Sequence, residues 1–293
     1  MENHKGRLFR SLLTAGYLIG FSVLAYMGTR FHAYYALPLP ERPHSPLHLL
    51  AKPGGQTSHG LGIAGGAMIL LLFLYSVRKR EVIRWGSLSR WLDTHIMLGI
   101  LGPLFVTLHT AFKFGGIVSV SYFSMMAVMA SGIFGRYLYI QIPRAITGGE
   151  LSPKDIAARR GAIRDALAAE FGLSDKALDT LEGKAASPSG KSRSAWRILL
   201  NLMIADLIRP FRSFTMRRRL RRSHPGLPPE KLGTLAGGIK ELSILDRKVR
   251  FLDTTQRIFH YWHVIHRPFA YVVVVIMLIH VAVVTYLGYR WFF

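Results

Sequence analysis

Cysteine is absent from all 293 residues, which removes disulfides, cysteine-ligated iron–sulfur clusters, covalently attached c-type haem and thiolate zinc sites together. Acidic residues are scarce: 16 Asp and Glu stand against 38 Lys and Arg, a formal charge of +22. Nucleic-acid binding is the usual inference from such a balance. Here the basic residues sit between long apolar runs and form neither a single patch nor a known reader motif, so no nucleic acid is expected. No internal repeat stands out, and the longest polar stretch has no Gly-rich phosphate loop or dinucleotide fingerprint.

Apolar residues make up 50% of the chain, and together with the basic charge this points to membrane spans with basic flanks. Five segments approach the roughly 20 residues needed to cross a bilayer: 11–28, 61–77, 93–112, 118–140 and 268–288. The basic N-terminus resembles the start of a signal peptide. The apolar run from Ser11 to Gly28 is long, however, and no A-x-A-like site closes it, so it is expected to stay as the first span.

Loop charge predicts the orientation. Lys5, Arg7 and Arg10 precede the first span, and Arg78, Lys79, Arg80, Arg84 and Arg90 fill the link between the second and third. Both belong in the cytoplasm. The 29–60 link carries only Arg30, Arg42 and Lys52 against Glu41 and reads as an exported loop, while 113–117 is a Gly-containing turn. The expectation is a multi-pass protein of the cell inner (cytoplasmic) membrane with its N-terminus inside and its C-terminus outside. Residues 1–140 hold four spans, 141–262 form a basic cytoplasmic helical insert, and 263–293 supply the fifth span.

Within the insert, Ser152–Phe171 predicts a helix that Gly172 stops, and 183–193 reads as a flexible linker. Trp196–Phe211 is apolar on most faces but broken by Arg197, Asp206 and Arg209, too charged to span. It reads as a helix lying on the inner leaflet or as a buried helix of a soluble domain. Arg217, Arg218, Arg219, Arg221 and Arg222 follow it, suited to anionic lipid headgroups or to an acidic redox partner.

The most informative pattern is in the histidines. His95 and His109 lie fourteen positions apart on the third span, and His266 and His280 bracket the fifth with the same separation. Fourteen steps of about 100° return each pair to within about 40° of one helix face, about 21 Å apart along the axis. That spacing lets each helix give one axial ligand to each of two b-type haems. The third and fifth spans run parallel, so His95 pairs with His266 near the cytoplasm and His109 with His280 near the outer surface. Bis-histidine ligation gives a low-spin haem suited to electron transfer. The other reading is of separate membrane histidines with structural or proton-relay roles.

Haem propionates need cationic partners. Arg90, Arg136 and Arg267 are placed for the inner haem, and Lys113 and Arg290 for the outer one, although snorkelling to headgroups explains each equally. Gly99 and Gly102 either admit a porphyrin face or serve helix packing. His59 reads as a surface histidine or as a quinone or proton contact. His263 is an alternative to His266 as ligand, and His260 lies close by. His32, His44, His48 and His224 fall in polar segments with no specific role expected.

The histidine spacing resembles that of integral-membrane di-haem b-type cytochromes, a class that includes the cytochrome b of quinol-oxidising complexes and the ferric-reductase-like transmembrane proteins. The resemblance covers about 60–140 and 260 onward. It implies a five-span all-α bundle with two stacked haems between the third and fifth helices. Ferric reductases of this class carry a flavin and nicotinamide domain after the last span, and this sequence ends shortly after Gly288. The expectation is therefore an electron-transfer subunit that works with lipid, quinone, and partner flavin, iron–sulfur or cytochrome c proteins. A stand-alone ferric or quinone reductase is the alternative, and a haem-free channel, transporter or assembly factor the second.

Overall fold

The computed structural model describes residues 2–142, 152–185, 195–208 and 228–288, and between the last two stretches 211, 214–215, 218, 220–222 and 226. Arg209, Arg217, Arg219, His224, Arg290 and most of the expected linker lie outside these.

Among the described residues the chain is helical and contains no strand. In order, it forms α1 (Glu2–Ala36), a 3-10 turn (Arg42–His44), α2 (His48–Ala51), α3 (Gln56–Leu71), α4 (Phe73–Lys79) and α5 (Leu88–His109). These are followed by α6 (Gly116–Gln141), α7 (Pro153–Phe171), α8 (Asp175–Ala185), α9 (Ala195–Leu207) and α10 (Pro229–Tyr286). Five segments are long and apolar enough to cross a membrane: Gly6–Ala36, His48–Lys79, Leu88–His109, Ser119–Gln141 and Thr254–Tyr286. That is the make-up of a multi-pass membrane protein, since a helix satisfies its own backbone polar groups in lipid.

The chain divides into two compact units, one of residues 1–136 with 262–293, the other of 137–261. In the first, α1 runs parallel to α5: Phe9 meets Arg90, Gly16 faces Met97 and Gly20 faces Leu101 at a constant offset. The α3 helix runs antiparallel to α5, with Gly65 against Gly102 and Ser58 against His109. It also runs antiparallel to the last part of α10, where Ile69 packs with Val273 and Gly66 faces Met277. Helix α6 opposes α10 through Ser131 with His266 and Met125 with Val273. The directions thus alternate, and α5 and the end of α10 run the same way.

Two sequence expectations change. The first helix extends well beyond 11–28 because no proline or turn interrupts it until Leu37 and Pro38. The 29–60 link is largely helical and folded, where sequence suggested a polar loop. Its organiser is Arg42, only 8% exposed, which donates to the carbonyls of Tyr35 (2.8 Å), Leu37 (3.0 Å) and Ala111 (2.6 Å) and lies over the Tyr34 ring. The bond to Ala111 ties this cap to the end of α5, where Ala111 and Phe112 take positive φ values of 47° and 56°. Such conformations strain non-glycine residues and persist where surrounding contacts hold them.

The second unit is built around Leu178, Leu235, Ile239 and Leu242, all fully or nearly fully buried. Helix α7 starts in a capping box: Ser152 accepts from the Asp155 amide, Asp155 accepts from the Ser152 amide, and Pro153 stands just inside. Gly172, with φ 61°, ends it in the left-handed conformation that favours glycine.

Candidate functional site

The first unit gathers its histidines at two levels. At one, His95 on α5 and His266 on α10 are close enough to interact electrostatically, and His263 adjoins His266. At the other, His109 on α5 and His280 on α10 lie within electrostatic range of each other. His59 joins this second level from α3, its ring centroid 6.5 Å from that of His109, and it also interacts with His280. Between the levels, Ile69, Met125 and Val273 are buried together as an apolar layer. Val273 falls midway along α10 between His266 and His280.

Three of the four imidazoles are held by their Nδ1 atoms. His95 Nδ1 lies 3.2 Å from the Leu72 carbonyl oxygen and His109 Nδ1 lies 2.9 Å from that of Ser58. A carbonyl only accepts, so in both rings Nδ1 carries the proton. Leu72 sits at the break between α3 and α4, where the regular helical bonding is interrupted, and its oxygen is available to the ring. Gly62 makes room for His109, because a Cβ there would stand 2.6 Å from the His109 Nδ1.

His266 sits in a three-residue arrangement. Ser131 Oγ donates to the Val128 carbonyl (2.8 Å), which uses its single proton, so it accepts from His266 Nδ1 at 2.7 Å. Trp262 stacks on the His266 ring, with centroids 4.8 Å apart and planes 30° apart, and donates its Nε1 proton to the Ser131 carbonyl (2.7 Å). Gly135 leaves the space that the Trp262 ring fills. With Nδ1 engaged in this way, the neutral form of each ring directs a lone pair from Nε2. That is the state in which imidazole ligates a metal, with the other ring nitrogen bonded to a second partner. The donor set therefore suits two bis-imidazole centres. Among the described residues, no three His, Asp or Glu side chains converge as a small-ion site.

The cationic residues singled out in sequence fare differently. Arg136 forms an ion pair with Asp93, 3.1 Å apart and with both side chains partly buried. Arg90 lies over the Phe9 ring at 5.7 Å. Arg267 and Lys113 are exposed. Gly102 packs against Ile69, Met68 and the Gly65 backbone, so helix contact accounts for it, while a Cβ at Gly99 would meet only Leu72, at an ordinary 3.8 Å. His48 has a partner in the Tyr34 hydroxyl (3.0 Å). Sequence reasoning missed Ser58, Leu72, Ser131 and Trp262, while Gly62 and Gly135 carried the same two readings as Gly99 and Gly102, a porphyrin face or helix packing. For Trp262 and Ser131 the available signal was position: four residues before a candidate ligand, and a hydroxyl inside an apolar span.

Comparison with known proteins returns no match: no protein family, no curated protein and no solved structure is similar to this chain.

Proposed function

We propose that the chain is a two-haem b-type membrane subunit that carries single electrons across the inner membrane, between a quinone pool or cytoplasmic redox partner and a partner outside. The observation that carries this reading is the arrangement of four imidazoles at two levels of two parallel helices, three of them with Nδ1 engaged. His95 and His266 would hold one haem, His109 and His280 the other. Bound haem supplies reversible one-electron chemistry at each level.

The protein's own contribution is orientation and exclusion of water. Leu72, Ser58 and Ser131 fix three ring planes, and Trp262 fixes the rotation of His266. Ile69, Met125 and Val273 keep the intervening layer apolar. Arg90 and Arg267 at the inner level and Lys113 at the outer one are the cations proposed for propionates. Arg136 would serve there only by sharing its charge with Asp93. The basic α4–α5 link argues for a cytoplasmic position of the Leu72 level, and flavin, iron–sulfur or cytochrome c proteins are the proposed neighbours.

A pyridine haemochrome assay on protein from haem-replete cells tests the reading. Two haems per chain are expected, and a value near zero refutes it. His109→Ala or His280→Ala should remove one haem and spare the other, as should His95→Ala or His266→Ala at the other level. Retention of both haems in all four variants would refute the ligand assignment. Co-purifying redox subunits are expected; turnover with quinol by the chain alone would make it a self-contained reductase instead.

A further inference from the structure

Helix α9 presents two opposed faces. At about 100° per residue, Leu200, Met203, Ile204 and Leu207 share one side, and all are exposed, Leu207 to 79%. On the other side Ala205 is buried, and the Asp206 carboxylate accepts from the Tyr137 hydroxyl (3.1 Å) and the Gln141 amide (2.6 Å). The helix is fastened to its own unit by a small and an acidic residue while its apolar side faces outward, the reverse of a surface helix in a soluble domain.

The described residues that follow repeat the arrangement. Phe211 and Phe214 are exposed, Phe211 to 70%. Arg218, Arg221 and Arg222 are exposed at the same helical spacing, while Leu220, half a turn away, is buried in the core of the unit. Among the described residues none of these three arginines has an acidic partner. Along the chain, an exposed apolar side of α9 is therefore followed by exposed phenyl groups and arginines, and none of the residues named on these exposed sides is acidic.

We propose that these exposed sides act together as a membrane-interface foot: the apolar side chains enter the boundary between headgroups and acyl chains of an anionic leaflet, and Arg218, Arg221 and Arg222 bind lipid phosphate groups. The occupant is assigned as lipid because aliphatic and phenyl groups aligned along a helix and flanked by arginine match the two layers of an anionic interface. A chain with five membrane-length helices also has a bilayer at hand. The inference is independent of the haems.

The absence of cysteine makes a direct test simple, since an introduced cysteine is the only thiol. Leu207→Cys, Phe211→Cys and, as an exposed control on α8, Lys176→Cys would be made in the full chain. Each is labelled with a nitroxide and placed in nanodiscs of phosphatidylcholine with or without phosphatidylglycerol. In anionic discs, relaxation of the labels at 207 and 211 by oxygen should exceed that by a water-soluble nickel chelate several-fold, with the opposite order at 176. Without phosphatidylglycerol, or with Arg218, Arg221 and Arg222 changed to Gln, the difference should shrink at least twofold. Nickel-dominated relaxation at 207 and 211 would place the face in water and overturn the proposal. Shielding from both reagents, in detergent as in discs, would mean that protein covers the face and would overturn it too. Insensitivity to both lipid charge and the Gln variant would overturn the role of the arginines. Haem content, read on the same samples, reports separately on the redox reading.

Discussion

A histidine whose Nδ1 proton is already committed behaves differently from a free one, and the three engaged rings make testable demands on their neighbours. Ser131→Ala takes away the acceptor for the His266 ring and leaves it the stacking contact with Trp262. Loss of such a supporting group commonly costs about 10- to 100-fold in metal affinity. Under the proposed two-haem reading, haem at the His95 level should therefore transfer to apomyoglobin faster by about that factor, with the other haem unchanged; equal loss from both levels would contradict the pairing. Gly62→Ala sets a Cβ 2.6 Å from His109 Nδ1 and should cost about 1–3 kcal/mol through overpacking, with its haem loss confined to the His109 level.

Asp155 illustrates a pH effect outside the spans. Hydrogen bonds from the Ser152 side chain and backbone hold its carboxyl below the usual carboxylate range. A folded value below the unfolded one means that the cap's contribution is full above the ordinary carboxylate pKa and is lost as pH falls through the depressed value. The protection of the Asp155 and Ile156 amides, taken relative to the intrinsic exchange rate at each pH, should fall in acid and be flat near neutrality, and Asp155→Asn should abolish that acid dependence.

At the scale of elements, two contacts decide how the first unit is put together. The α3–α5 crossing brings Gly65 close to the Gly102 carbonyl, where a Cβ would come within 2.9 Å of backbone. Small residues at such a crossing let helices approach in a medium that offers no hydrophobic drive to associate. The second contact is the Arg42 cap. Arg42→Ala leaves the carbonyls of Tyr35, Leu37 and Ala111 without this donor, at about 1–3 kcal/mol for a buried group left unsatisfied. Thermal unfolding in detergent should fall by several degrees. Arg42→Lys should not restore it, since one ammonium cannot reproduce the fork that reaches three carbonyls. The 29–60 segment is composed like a loop, so its fold was not legible in sequence: a single arginine within it collects carbonyls from Tyr35 and Leu37 near its start and from Ala111 just after α5.

At the scale of the whole molecule, alternating helix direction in the first unit leaves open which end faces the cytoplasm, and the basic links make the prediction. Arg84→Cys should react with a membrane-impermeant maleimide only after the cells are opened, and Lys113→Cys should react in intact spheroplasts; the reverse pattern would invert the proposed orientation. Five apolar helices were readable from the chain alone, because the length and hydropathy needed to cross a bilayer are properties of contiguous residues. The two histidine levels were readable too, because helical periodicity turns a fourteen-residue spacing into a shared face. The partners that seat each ring were not. Leu72 with His95, Ser58 with His109, and Ser131 with His266 are 23, 51 and 135 residues apart, and so are found only when helices pack. The same holds for the Arg136–Asp93 pair, since sequence offered Arg136 as a propionate partner and gave no sign of Asp93 beside it. Local patterns encode which residues share a helix face; which backbone oxygen or hydroxyl meets that face depends on the register at which neighbouring helices lock together.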